Sequence, residues 1–171
     1  MRRALLAMAL GGALLTAAAC DSDAEPTTAA PVTEVTPSAE PTTLAPDYSA
    51  DTRAVCGQVD IIFKKDIAAF STEMGKMIAR KEAKATPAEA KAAQTSASGK
   101  LKTISADLRK TTGIAQDPEL KAAGAASATK FTKAAANSAF FTRIKTQKDF
   151  DKTIQAQLNN WMSPLSGFCA Q

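Results

Sequence analysis

The sequence predicts an all-α protein, an antiparallel up-down four-helix bundle behind a disordered N-terminal tether. Three observations predict it. Apolar residues recur every three or four positions through residues 51–171, runs of alternating β-branched residues are scarce, and two segments, "TPAE" and "DPEL", have the form of helix starts that open on proline. The first is the period of an α-helix with one buried face, and the last places proline where its missing N–H costs nothing. About 120 residues is enough for one hydrophobic core.

Residues 1–19 come before that fold and are set apart from it. Met1, Arg2 and Arg3 make a cationic start, Ala4 to Ala19 are largely apolar, and polarity returns at Asp21 and Asp23. This is the layout of a secretory signal peptide. The apolar run is broken by Gly11-Gly12 and falls short of the roughly 20 residues that cross a bilayer.

The junction Ala17-Ala18-Ala19-Cys20 resembles the lipobox of bacterial lipoproteins, in which a small-residue tripeptide precedes an acylated cysteine. Ala17 stands where that family favours leucine, and Leu14 and Leu15 lie slightly upstream. The resemblance implies lipidation of Cys20 and a membrane anchor at the outer face of the cytoplasmic membrane. The same Ala-x-Ala suits an ordinary signal peptidase, which would release a soluble secreted protein cleaved before Cys20. The count of three cysteines favours lipidation, because it uses one and leaves Cys56 and Cys169 as a pair. The alanine-rich, Thr/Pro-rich style also resembles small lipoproteins of high-GC Gram-positive bacteria, a likeness that implies no particular activity.

Residues 20–50 read as the lipidated cysteine and a disordered linker. Thr, Pro, Ala, Ser and acidic residues dominate, with hardly any large apolar side chains to offset the entropy of ordering.

The first helix is expected from about Asp51 to Lys81, with Cys56, Val59, Phe63, Ile67, Phe70, Met74 and Met77 on its inner stripe. Thr86, Pro87 and Glu89 form a capping box for the second, lined by Ala90, Ala93, Ala97, Leu101, Ile104 and Leu108, with Gly113 as a left-handed terminator. Asp117 and Pro118 open the third, whose inner face runs through Leu120, Gly124, Ala128, Phe131, Ala135 and Phe141. Thr146 or a neighbour caps the fourth, lined by Phe150, Ile154, Leu158 and Trp161 and ended or kinked by Pro164. Short links make neighbours antiparallel. That topology puts Cys56 and Cys169 at one pole, where a disulfide is expected, with Gly167 letting the tail turn back.

Function is constrained mainly by exclusion. The chain has no histidine, which removes the commonest general base and metal ligand. No zinc-type cysteine spacing, phosphate loop or dinucleotide fingerprint is present, so no catalytic residue, metal site or cofactor is expected. Asp149 and Asp151 are close enough to suggest an acid/base pair, but the start of the fourth helix explains them more simply. Residues 51–171 carry 19 Lys/Arg against 11 Asp/Glu, and residues 21–50 carry six acids and no Lys/Arg. A basic domain on an acidic tether attracts an anionic envelope polymer or a protein partner, while the apolar setting of the aromatics argues against nucleic acid. The leading expectation is a non-enzymatic, membrane-anchored extracytoplasmic interaction or envelope-associated module. The rival is a carrier of an apolar or lipid-like ligand held among Met74, Met77, Phe140, Phe141 and Trp161.

Overall fold

The computed structural model describes residues 45–169, and these are all-α: helices connected by short links, with no strand among them. Helix α1 spans Ser49–Glu82, α2 Pro87–Gly113, α3 Pro118–Ala136, α4 Ser138–Arg143, α5 Gln147–Met162 and α6 Ser166–Cys169, with a 3₁₀ turn, Ser163–Leu165, between the last two. The signal-like segment, the cleavage junction, Cys20 and most of the linker lie outside the described residues.

The helix starts follow local chemistry closely. Thr86 and Glu89 form the reciprocal capping box, with the Glu89 carboxylate accepting from the Thr86 backbone N–H at 3.0 Å. Asp117 Oδ1 accepts from the N–H groups of Glu119 and Leu120. Thr146 and Asp149 form a second box at the head of α5. Each satisfies amides that the first helical turn leaves without partners.

Helix ends depart from expectation in three places. Gly113 stays inside α2 with a negative φ, and the left-handed residue is Lys84, at φ 54°. Lys84 occupies the terminating position of a Schellman motif after α1, with Ala85 N–H donating to Arg80 O and Lys84 N–H to Lys81 O. The expected third helix breaks at Asn137, whose backbone is extended and whose Oδ1 accepts from Phe140 N–H, so Phe141 belongs to the separate α4. An asparagine that bonds its own downstream amide competes with helix propagation. The tail past Pro164 is helical with no left-handed glycine, so Gly167 turns nothing.

Helix α2 packs along both α1 and α3. Across the α2–α3 seam Ser98 Oγ donates to Ala135 O and Ser105 Oγ to Ala128 O, each at 2.8 Å, while Arg109 donates to Thr129. The early position Ser98 meets the late Ala135, and the later Ser105 and Arg109 meet the earlier Ala128 and Thr129, so the two are antiparallel. Between α1 and α2, Asp51 accepts from the N–H of Gln116 and Arg80 faces Glu89, the same reversed order. Helix α5 closes against α1 and α3 through Phe150 on Phe70 and Trp161 on Phe131, at centroid distances of 6.1 and 5.1 Å.

The expected interior is mostly there: Phe70, Leu101, Leu108, Phe131, Phe150 and Trp161 are buried. Phe63, Ile67, Ile154 and Leu158 pack only partly buried against the core, and Phe63 and Leu158 face one groove between α1 and α5.

Candidate functional site

A disulfide ties the tail of the domain to its first helix. Cys56, buried about two turns into α1, and Cys169, at the end of α6, are joined with their Cα atoms 5.2 Å apart. The 3₁₀ turn and α6 carry the chain from α5 back to α1. Beside the bridge, a mainly apolar groove of about 330 Å³ runs between α1 and α5, lined by Val59, Phe63, Leu158 and Met162 together with the polar Asp60, Gln155 and Asn159.

The carboxylates that could suggest acid/base chemistry are occupied structurally. Asp149 accepts from the N–H groups of Lys145 and Thr146, and these bonds hold its pKa below the usual carboxylate range. Asp151 accepts from Gln147 Nε2 at 2.8 Å. Asp149 belongs to the first turn of α5, as its position suggests, and Asp151 follows in the next turn. A different carboxylate is perturbed. Asp66 on α1 is 7% exposed. Burial raises its pKa, and the Asp107 carboxylate on α2 raises it further. No spacing rule marks that pair, because it forms only when α1 and α2 pack.

The five residues expected to hold an apolar ligand are buried core. Met74, Met77 and Phe141 are fully enclosed, and Phe140 stacks edge-on with both Phe141 and Trp161 at 5.1 and 5.7 Å. They fill the interior against one another. Phe140 and Trp161 also reach the wall of an open groove of about 270 Å³ between α3, α4 and α5.

That groove carries the most unusual chemistry of the described residues. Lys130, Lys133 and Arg143 line it together with Asn137, Gln157 and Asn160, and no acidic residue does. Lys130 Nζ donates to Asn160 O and to Ser163 Oγ, at 2.7 and 2.8 Å. Arg143 uses Nε on Ala139 O, leaving the two terminal nitrogens without a protein partner among the described residues. None of the three cations joins the salt bridges of those residues, which involve Lys64, Lys76 and Arg80. Sequence reasoning missed this cluster. Lys130 and Lys133 are one turn apart on α3, but Arg143 reaches them only because the helix breaks at Asn137.

A further cation, half-buried, is structural. Lys81, near the end of α1, donates from Nζ to the carbonyls of Phe141 and Ile144, both at 2.7 Å. Burial, with Lys145 nearby, lowers its pKa. It satisfies carbonyls that the short α4 leaves open. No group of three or more His, Cys, Asp or Glu positioned to hold a metal ion occurs among the described residues, and none of their helices is long and apolar enough to cross a membrane. The chain matches no family model, no curated protein and no solved structure.

Proposed function

We propose that this chain is a non-enzymatic extracytoplasmic lipoprotein, anchored through Cys20 at the outer face of the cytoplasmic membrane, whose helical domain is an interaction module. The observation that carries the reading is the Cys56–Cys169 bond, which links the start of α1 to the chain's end. Such bonds persist in oxidising compartments and are rare in the cytosol. Export then gives the third cysteine, Cys20, a use that needs no partner thiol. Helices α1, α2, α3 and α5 read as the antiparallel up-down four-helix bundle. Helix α4 prolongs the third member beyond its break, and α6 returns the tail to the disulfide.

Fractionation of cells making the wild-type chain and Cys20→Ser tests the anchor. The wild type should sediment with membranes and carry a mass increase of acyl chains on Cys20, and Cys20→Ser should appear in the soluble extracytoplasmic fraction. More than one chain is needed for stable anchoring. A wild type found wholly in the medium with an unmodified Cys20 would overturn the anchor.

The apolar groove beside the disulfide supports a second reading, a carrier of a lipid-like ligand. Its walls, Phe63, Leu158 and Met162, are the partly buried apolar residues of the α1–α5 flank. Native mass spectrometry of gently purified protein separates the two: a retained apolar molecule favours the carrier, and an empty domain the interaction module.

A further inference from the structure

We propose that the groove between α3, α4 and α5 is a binding site for an oxyanion, a phosphate or carboxylate group of a small molecule or an exposed headgroup. The proposal does not depend on the membrane anchor. It rests on how three helix ends converge.

Lys133 lies in the last turn of α3 and Arg143 in the last turn of α4, and Lys130 donates to the C-terminal turn of α5. A cation in a helix's last turn is ordinary, because the macrodipole favours it there. The same dipoles disfavour a carboxylate where the three ends open on one groove, and none lines it. What the dipole does not account for is the donors left over. Lys130 is engaged by Asn160 and Ser163, so it contributes charge. Lys133 makes no side-chain hydrogen bond among the described residues, and the terminal nitrogens of Arg143 form a free fork of the kind that grips oxyanions in bidentate fashion. Asn137 uses its Oδ1 to cap α4, which leaves its amide hydrogens to donate.

An independent observation comes from Trp161. It is 3% exposed, and its indole N–H, a donor that a buried tryptophan normally satisfies, has no acceptor among the described residues. Yet the N–H is not sealed in. Among those residues the only fully enclosed side-chain polar atom without a partner is Ser127 Oγ. The opening that Trp161 lines is this groove. A buried donor on a side chain that lines an opening shared with two free cationic donors suits an acceptor with several lone pairs, and an oxyanion supplies them. The groove, about 270 Å³, has room for one with bridging water, since a water takes about 30 Å³ of liquid volume.

Trp161 is the only tryptophan of the chain, so its fluorescence reads the site directly. The full chain, purified in a non-ionic detergent, is titrated with inorganic phosphate, with citrate, and with phosphatidylglycerol against phosphatidylcholine mixed into the micelles. The expected result is a saturable change in emission with at least one of the anionic probes. Its half-saturation should rise tenfold or more in Lys133→Gln/Arg143→Gln, rise by less in Arg143→Lys, which keeps the charge and loses the fork, and stay within twofold in Lys100→Gln/Lys102→Gln on α2. Both groove residues are exposed, so the circular dichroism of each variant should match the wild type. A response to phosphate or citrate assigns a soluble ligand, and a response to phosphatidylglycerol alone assigns a headgroup. No saturable change with any probe overturns the site. So does an equal loss in the α2 variant, which would mark a diffuse charge effect, or a response indifferent to Lys133 and Arg143.

Discussion

The seam between α2 and α3 and the seam that closes α5 onto the rest of the domain are built from opposite materials. Along α2–α3 the contacts are Gly124, Ala128, Ala135, Ala97 and the serine hydroxyls of Ser98 and Ser105, and the backbones come close enough for those hydroxyls to reach carbonyls across the seam. Along α5 they are Phe150, Trp161, Phe70 and Phe131, backed by a covalent bond at the end of the tail. The first seam is a close approach of small residues and depends on nothing being added. The second buries large rings and depends on nothing being taken away.

The largest effect should come from removing a ring. Phe131→Ala leaves a cavity under Trp161 and is expected to cost about 3–5 kcal/mol, measured by denaturant unfolding. A cost below about 1 kcal/mol would mean the α5 seam collapses around the loss, and the contrast would fail on that side. Next is the bond itself: Cys56→Ser/Cys169→Ser should cost about 2–4 kcal/mol, less than the chain-entropy figure of roughly 4.7 kcal/mol for a loop of this size. Its melting transition, compared with the reduced wild type, checks this. The two should agree.

On the other seam a single methyl group should be enough. A Cβ on Gly124 would overlap Oγ1, Cβ and Cγ2 of Thr112. Gly124→Ala should therefore destabilise by about 1–3 kcal/mol despite its better helix propensity. Thr112→Ala should rescue it only in part, because the Thr112 Cβ remains in the way. A stabilised Gly124→Ala would show the α2–α3 seam to be loose.

How much of this was legible in the sequence depends on how local the cause is. Thr86 with Glu89, Asp117 with Pro118 and Thr146 with Asp149 act within one turn, and each start was readable. So was most of the inner stripes of α1 and α2, because in each helix one face stays turned to the core. The break at Asn137 was not, since the stripe through Leu120, Phe131 and Phe141 runs on across it and only the asparagine's cap interrupts the helix. The basic groove inherits that illegibility, for it exists only where the break turns Arg143 toward Lys133. The left-handed cap was expected at Gly113 and is made by Lys84, a residue without glycine's conformational freedom.

Lys84 therefore offers a gain. Lys84→Gly should stabilise the domain by up to about 1 kcal/mol by removing the strain of a side chain at φ > 0, visible as a small rise in melting temperature without a change in helicity. The last expectation is a slope rather than a step. Between the ordinary carboxylate pKa and its raised folded value, Asp66 binds more protons in the folded state than in the unfolded one. Stability should fall as pH rises through that window, and the penalty is complete above the folded pKa. Asp66→Asn should flatten this part of the profile and stabilise the α1–α2 seam at neutral pH. An unchanged profile would show that Asp66 and Asp107 are solvated independently.

The disulfide also decides how the domain answers a pull. With Cys56 and Cys169 joined, tension applied between the two termini passes through the sulfurs and bypasses the 113-residue span between them. Unravelled, that span would release roughly 370 Å of chain at about 3.3 Å per residue. Oxidised, it releases none, and only the residues outside the ring can lengthen. Reduction would turn a link of fixed length into an extensible one. A load entering through the α3–α4–α5 groove is different, because the groove lies inside the ring, and the helices themselves would have to bear it.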